Sequence, residues 1–104
     1  MIQEKKTTEP ARLRIDKWLW AARFYKTRAI AKHAIDGGKV HLGGNRPKPS
    51  KEIEVGTKIR LRQGFDEKTV VVKALSEIRR GAKEAQLLYD ETSESVENRN
   101  KLSE

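Results

Sequence analysis

The side chains of this sequence with the types and spacing to do chemistry are cationic. Arg14, Lys17, Arg23, Lys26, Arg28 and Lys32 recur through a stretch patterned for two helices, and Lys39, Arg46, Lys48 and Lys51 follow it. No acid lies between Lys17 and Lys26 to neutralise them. A single surface lysine needs no explanation beyond solvation. A set this dense, with so few acids interleaved, repels itself and calls for an anionic partner. Thr27 is placed to cap the second helix, whose free N–H groups beside Arg28 would add to anion binding. The chemistry on offer is the binding of phosphates, and nucleic acid fits it best. Trp20, Phe24 and Tyr25 lie among the cations and are candidates to stack on exposed bases. The plainer alternative is that these rings pack against the body of the domain.

Catalytic chemistry is hard to place. His33 and His41 have neither cysteine nor a second histidine at ligand spacing, so they read as surface or boundary residues rather than metal ligands. Asp16 is accounted for as a helix cap and Asp36 as the end of the second helix before Gly37, which leaves no carboxylate pair for acid–base work. Gly37-Gly38-Lys39 is too short for a phosphate loop, and no serine elbow is present. The residues argue against an enzyme and imply no cofactor and no metal.

The whole chain bounds the same reading. Its 104 residues make one domain with a small core. It carries a formal charge of +8, with 14 Lys+Arg against 4 Asp+Glu from Arg12 to Arg62 and only 2 against 6 from Glu84 to Glu104. The basic surface therefore belongs to the first part. There is no cysteine, so disulfides and thiolate chemistry are excluded. No apolar run approaches the roughly 18 residues of a membrane span, and Met1 to Arg12 lacks the apolar core of a secretory signal. A cytoplasmic monomer with no membrane partner is expected.

The elements that must position the cations follow from periodicity. Residues 1–11 are expected to be disordered. Asp16 is expected to cap a helix running to about Phe24, with Ile15, Leu19 and Ala22 on its core stripe. Trp18 and Trp20 sit about 200° apart on it, so Trp18 faces the core and Trp20 shares a face with Lys17 and Phe24. A second helix is predicted from Arg28 to Asp36, stopped by Gly37-Gly38. Lys39 to Leu42 reads as a strand, Gly43-Gly44 as a turn, and Pro47 and Pro49 as an extended link. Lys58 to Gln63 and Thr69 to Leu75 read as an antiparallel hairpin. Ala82 to Tyr89 is a weak helix, and Thr92 to Leu102 is helix-permissive but polar and marginal alone. The divisions expected are a binding domain over 12–62, a sheet-and-helix extension of it over 63–90, and an acidic, marginally helical segment over 91–104.

Several motifs in fixed order make the pattern specific. Arg14-Ile-Asp-Lys-Trp-Leu, Thr27-Arg28 with Ala31, Gly38-Lys-Val, Lys48-Pro-Ser and Gly56-x-x-Ile59 together resemble the RNA-binding domain first seen in small-subunit ribosomal protein S-four, the alpha-L motif. The resemblance covers about residues 12–61. Asp16-Lys-Trp-Leu-Trp-Ala-Ala-Arg-Phe-Tyr-Lys-Thr-Arg, Leu61-Arg-Gln-Gly and Leu88-Tyr-x-Glu-Thr carry it over nearly the whole chain, towards a bacterial family of ribosome-associated heat-shock proteins of fifteen kilodaltons.

That resemblance implies an α+β fold: two N-terminal helices packed on a small, mostly antiparallel sheet, with a C-terminal helical segment. It implies RNA contacts by Arg14, Lys17, Arg23, Lys26, Thr27, Arg28 and Lys32, flanked by Lys39, Arg46, Lys48 and Ser50. The partners implied are ribosomal RNA and the free large ribosomal subunit still holding a nascent chain on tRNA, with tRNA itself a further candidate. Two alternatives stay open. The same domain occurs appended to pseudouridine synthases and some tRNA synthetases, so the chain is alternatively an accessory module of an RNA-modifying enzyme. A basic protein of this kind also binds DNA or acidic lipid through charge alone. The sequence departs from the pattern at Leu42-Gly43-Gly44, where many members have Val-Asn-Gly. The heat-shock relatives also continue into a longer basic tail, where this chain has an acidic stretch ending at Glu104.

Overall fold

Pairing of two short strands decides where the first helix begins. A computed structural model of the protein describes residues 10–103; of the segment expected to be disordered, residues 1–9 lie outside the described residues. Strand β1 (Leu13–Arg14) pairs antiparallel with β3 (Glu52–Ile53), and this keeps the chain extended up to Arg14. Helix α1 (Ile15–Ala21) starts at the next residue, with Arg14 rather than Asp16 at its N-cap position. Asp16 therefore lies inside the first turn and is fully buried, a correction to its expected capping role. The first N–H groups of the helix are taken by the loop before β3: Ile15 N–H donates to the Lys51 carbonyl and Asp16 N–H to that of Pro49.

Helix α1 also stops three residues earlier than Phe24. Arg23 N–H bonds the Trp20 carbonyl and Phe24 N–H that of Leu19, the paired bonds of a Schellman turn. The residue at its left-handed position is Arg23, with φ 66°. Helix α2 (Arg28–Asp36) has the expected bounds, and the Thr27 hydroxyl caps it by accepting from Ile30 N–H at 3.0 Å. Gly38, at φ 79°, then turns the chain into β2 (Val40–Leu42).

The turn after β2 explains the departure at Gly43. Gly43 and Gly44 both have positive φ (56° and 87°), and Leu42 and Asn45 exchange two backbone hydrogen bonds across them. Such a turn accepts either asparagine or glycine at its first central position, so Gly43 meets the same backbone demand as the asparagine of related sequences.

The main sheet has the order β2, β4 (Lys58–Gln63), β5 (Asp66–Val72) and β6 (Tyr89–Glu91), all neighbours antiparallel. Strand β4 (Lys58–Gln63) matches expectation, with Ile59 and Leu61 inward and Lys58, Arg60 and Arg62 exposed. Strand β5 runs over Asp66–Val72, three residues earlier than the valine-rich run suggested. The tight Gly64-Phe65 connection sets the register Gln63↔Asp66, and that pairing draws Asp66, Glu67 and Lys68 into the ladder despite their polarity. Leu75 is buried but is not in a strand.

The segment expected to be a single helix over 82–89 breaks into α3 (Ala82–Ala85), a 3-10 turn (Gln86–Leu88) and strand β6 (Tyr89–Glu91), which adds to the edge of β5. The division expected between 90 and 91 thus falls inside a strand. Tyr89 contributes to the core beside Trp18 and Phe24, at ring-centroid distances of 6.5 and 4.6 Å. That core joins Trp18, Ile15, Leu19 and Ile35 of the helices to Val40, Ile59, Leu61, Val70 and Val72 of the sheet.

Helix α4 (Ser93–Ser103) is almost entirely polar and is anchored by hydrogen bonds in place of an apolar face. Ser95 Oγ accepts from Thr69 N–H at 3.0 Å and donates to Glu91 Oε2 at 2.6 Å. Arg99 grips both oxygens of Glu91, at 3.0 and 2.6 Å. Burial pushes the Glu91 carboxyl up, but the bonds from Arg99 and Ser95 more than reverse this and hold it below the usual glutamate range. A carboxyl lowered by folding stabilises the fold above its unfolded value, near 4.5, and loses that contribution as pH falls below it. Hydrogen exchange should therefore show α4 losing protection at acid pH before β4 does, and Glu91→Gln should reproduce that selective loss at neutral pH.

Candidate nucleic-acid interface

The buried carboxylate of Asp16 brings the first cations together. Arg14 donates to both its oxygens, from Nε at 3.2 Å and from a terminal nitrogen at 2.9 Å. Arg28, the first residue of α2, approaches the Oδ1 side at 3.5 Å. Asp16 is fully buried, while the two arginine side chains remain 44% and 40% exposed. One carboxylate thus ties the start of α1 to the start of α2 and leaves two planar, multidentate guanidiniums at the surface. Arg28 Nε is itself buried without a partner among the described residues. Two positive charges on one negative leave a net cation at this point.

Lys48 and Ser50 join the same place. The loop that carries them is bonded to the α1 start through the Pro49 and Lys51 carbonyls, which brings the backbone of both exposed residues to the helix end that Arg14 precedes. Lys32 is exposed one turn along α2 from Arg28. Lys26 and Thr27 are exposed in the α1–α2 turn. Lys17 is partly buried and pairs with Glu77 at 3.0 Å.

Lys39 and Arg46 are not brought to this group. Arg46 donates to the Asp36 carbonyl at 2.8 Å, and its guanidinium passes over Gly38, 3.3 Å from where a Cβ would sit. Arg46 therefore satisfies the C-terminal end of α2, where a cation is favoured. Eight residue steps of helix, about 12 Å, separate that end from Arg28.

The aromatic residues divide. Phe24 is a core residue, 6% exposed, with its ring packed between Trp18 and Tyr89. No face of it is open to a base, which corrects its candidacy for stacking. The reason is the Schellman turn, which points the residue after Arg23 back into the core. Tyr25 is half-buried against the core, and its hydroxyl donates to the Arg62 carbonyl at 3.2 Å; burial pushes its pKa up. Trp20 is half-buried with the Arg79 guanidinium 5.9 Å from its ring centroid.

Two features of the site were not read from the sequence. Asp16 is its organising anion, a role hidden because an acid near a helix start has a simpler explanation as a cap. Arg79 and Arg80 reach the α1–α2 turn from beyond the motif: Arg79 donates to the Trp20 and Tyr25 carbonyls, and the Arg80 carbonyl accepts from Arg23. The adjacent pair of arginines before Gly81 was the available signal, but nothing local placed it near α1.

Comparison with known proteins gives the family. Residues 13–59 match the S4 domain family. Heat shock protein 15 of Escherichia coli strain K12 is 59% identical over 98% of this chain and 74% of its own length. The chain belongs to the heat shock protein 15 family. A homologue in Haemophilus influenzae is 58% identical over 88% of this chain and 70% of its own. The solved structure of Vibrio cholerae heat shock protein 15 superposes with a TM-score of 0.84 at 57% identity, covering 86% of this chain and 91% of that one. The α+β alpha-L arrangement is thus the family's fold. That Vibrio protein is trimeric in its solved structure. A more distant relative is the RQC P-site tRNA stabilizing factor of Bacillus subtilis, 34% identical over 62% of this chain and 76% of its own. Among the described residues no helix is long and apolar enough to cross a membrane, and no cluster of His, Asp or Glu could hold a metal.

Removing the organising carboxylate tests the geometry. Asp16→Asn should cost about 2 kcal/mol in urea unfolding. That is less than the roughly 3–5 kcal/mol of breaking a fully buried pair, because both arginines can return to water.

Proposed function

We propose that this chain is a non-catalytic, cytoplasmic RNA-binding protein that binds ribosomal RNA of the large subunit through the surface around Arg14 and Arg28. The observation that carries the reading is the pair of guanidiniums gathered on buried Asp16, Arg14 by two hydrogen bonds and Arg28 by an ion pair at 3.5 Å, with Lys48 and Ser50 in the loop bonded to the α1 start, Lys26 and Thr27 in the α1–α2 turn and Lys32 on α2. Fixed guanidiniums are preorganised for phosphate oxygens, so little side-chain freedom is lost on binding. Lys17 and Arg23 extend this surface, while Lys39 and Arg46 flank it at the far end of α2.

The names of two relatives support a reading of the ribosomal state recognised. One family name refers to heat shock and a more distant one to a factor stabilizing tRNA in the P site. A free large subunit that still holds a nascent chain on tRNA is compatible with both names. We read it as the target, with tRNA within reach of the bound protein.

Filter binding to purified large ribosomal subunits over a range of salt tests this. Neutralising about six phosphates predicts log K falling by roughly 4–5 units per decade of salt. Arg28→Gln should reduce both the affinity and that slope, and structured RNA should outcompete DNA of equal length. Binding that is absent, or insensitive to salt, would overturn the reading. Equal competition by DNA would reduce it to binding by charge alone.

A further inference from the structure

Beyond β5, residues 74–80 run back along the α1–α2 turn and are clasped to it by side chains crossing in both directions. The Trp18 indole donates to the Ala74 carbonyl at 2.9 Å. The Arg23 guanidinium reaches out to the Arg80 carbonyl at 2.9 Å. The Arg79 guanidinium reaches the opposite way, to the carbonyls of Trp20 at 2.6 Å and Tyr25 at 3.1 Å, with one face towards the Trp20 ring.

Two arginines from distant segments are thereby held close without a carboxylate on either. Each is anchored through one terminal nitrogen. The other nitrogens of both have no protein partner among the described residues, and neither has the exposed Arg80 side chain. Burial and the neighbouring Arg23 charge both push the Arg79 pKa down, so the protein alone leaves like charges uncompensated here. An oxyanion between them would meet several unused donors in fork geometry.

The backbone gives a second, independent indication. Arg23 is the one non-glycine residue with positive φ among the described residues. It occupies the position of a Schellman turn that glycine fills without strain. The helix stop alone would favour glycine, so arginine there carries a backbone strain that the turn itself does not require.

We propose that Arg23, Arg79 and Arg80 form a second phosphate-binding cluster, completed by a segment beyond the matched S4 span and binding a phosphodiester of the same RNA that engages Arg14 and Arg28. The cluster rests on the RNA-binding reading and extends it. The surface then continues from the Asp16 pair across the α1–α2 turn to the 74–80 segment, which lengthens the RNA track beyond the S4 domain.

Two substitutions separate binding from folding. Arg23→Gly keeps, and eases, the left-handed turn. Arg80→Gln alters a side chain without a protein partner among the described residues, leaving its carbonyl in place. Arg80→Gln should keep the wild-type Tm, and Arg23→Gly should stay cooperatively folded, the eased turn offsetting the lost bond to the Arg80 carbonyl. In filter binding to purified large subunits, each should lower the salt slope by about 0.7–0.9 and the affinity about fivefold near physiological salt, as expected when one phosphate is no longer neutralised. Wild-type affinity and slope in both variants, while Arg28→Gln is still impaired, would overturn the cluster and leave the RNA reading intact. Absence of salt-dependent binding by the wild-type protein would overturn both.

Discussion

The ion cluster on Asp16 is the interaction on which the surface depends. A carboxylate is expensive to bury, and here the cost is offset by a bidentate arginine from one side and a second arginine from the other. Each arginine belongs to a different element, one at the end of β1 and one at the start of α2. The cluster therefore fixes how α1 and α2 meet, and it does so with the charges intended for solvent. Neutral replacement of all three groups would keep the helix pair together through Leu19, Ala31 and Ile35, which are buried regardless. It would leave no oriented guanidinium behind.

A second constraint is the reversal between the helices. Capping at both ends of a short loop brings Phe24 inward and sends Arg23 outward. The same turn offers the Trp20 and Tyr25 carbonyls to Arg79, while the Gln63 side-chain amide bonds the carbonyl of Phe24. The Phe24 and Tyr25 carbonyls, which take no backbone N–H among the described residues, are thus satisfied from the sheet and the 74–80 segment, and the Trp20 carbonyl gains a second donor beside Arg23 N–H. Residues outside the matched domain span are in this way built into its helix pair, so the sheet extension is part of one unit rather than an appendage.

The local elements were legible where sequence carries its own punctuation. Thr27 and Gly37-Gly38 mark the bounds of α2, and strict alternation marks β4. What was not legible depended on partners distant in the chain. Helix α1 began at Ile15 because β3 pairs with β1, β5 began early because a two-residue turn sets its register, and β6 formed because β5 had an open edge. Among the functional candidates, the cations were found by type and spacing, and the resemblance supplied their grouping. The error at Phe24 has the same source as the missed Arg79: both are decided by the Schellman turn at Arg23, in which arginine stands where the sequence signal would be glycine. Asp16 shows the converse limit, since its identity was plain and its burial was not.

The central claim is that one continuous face, from the Asp16 cluster across the α1–α2 turn, contacts ribosomal RNA. Ultraviolet crosslinking of the intact protein to large ribosomal subunits, with the adducts located by peptide mass, tests it most directly. Adducts should fall within residues 14–32, 48–51 and 79–80. Adducts confined to the outer face of β4 and β5 or to α4 would contradict the account.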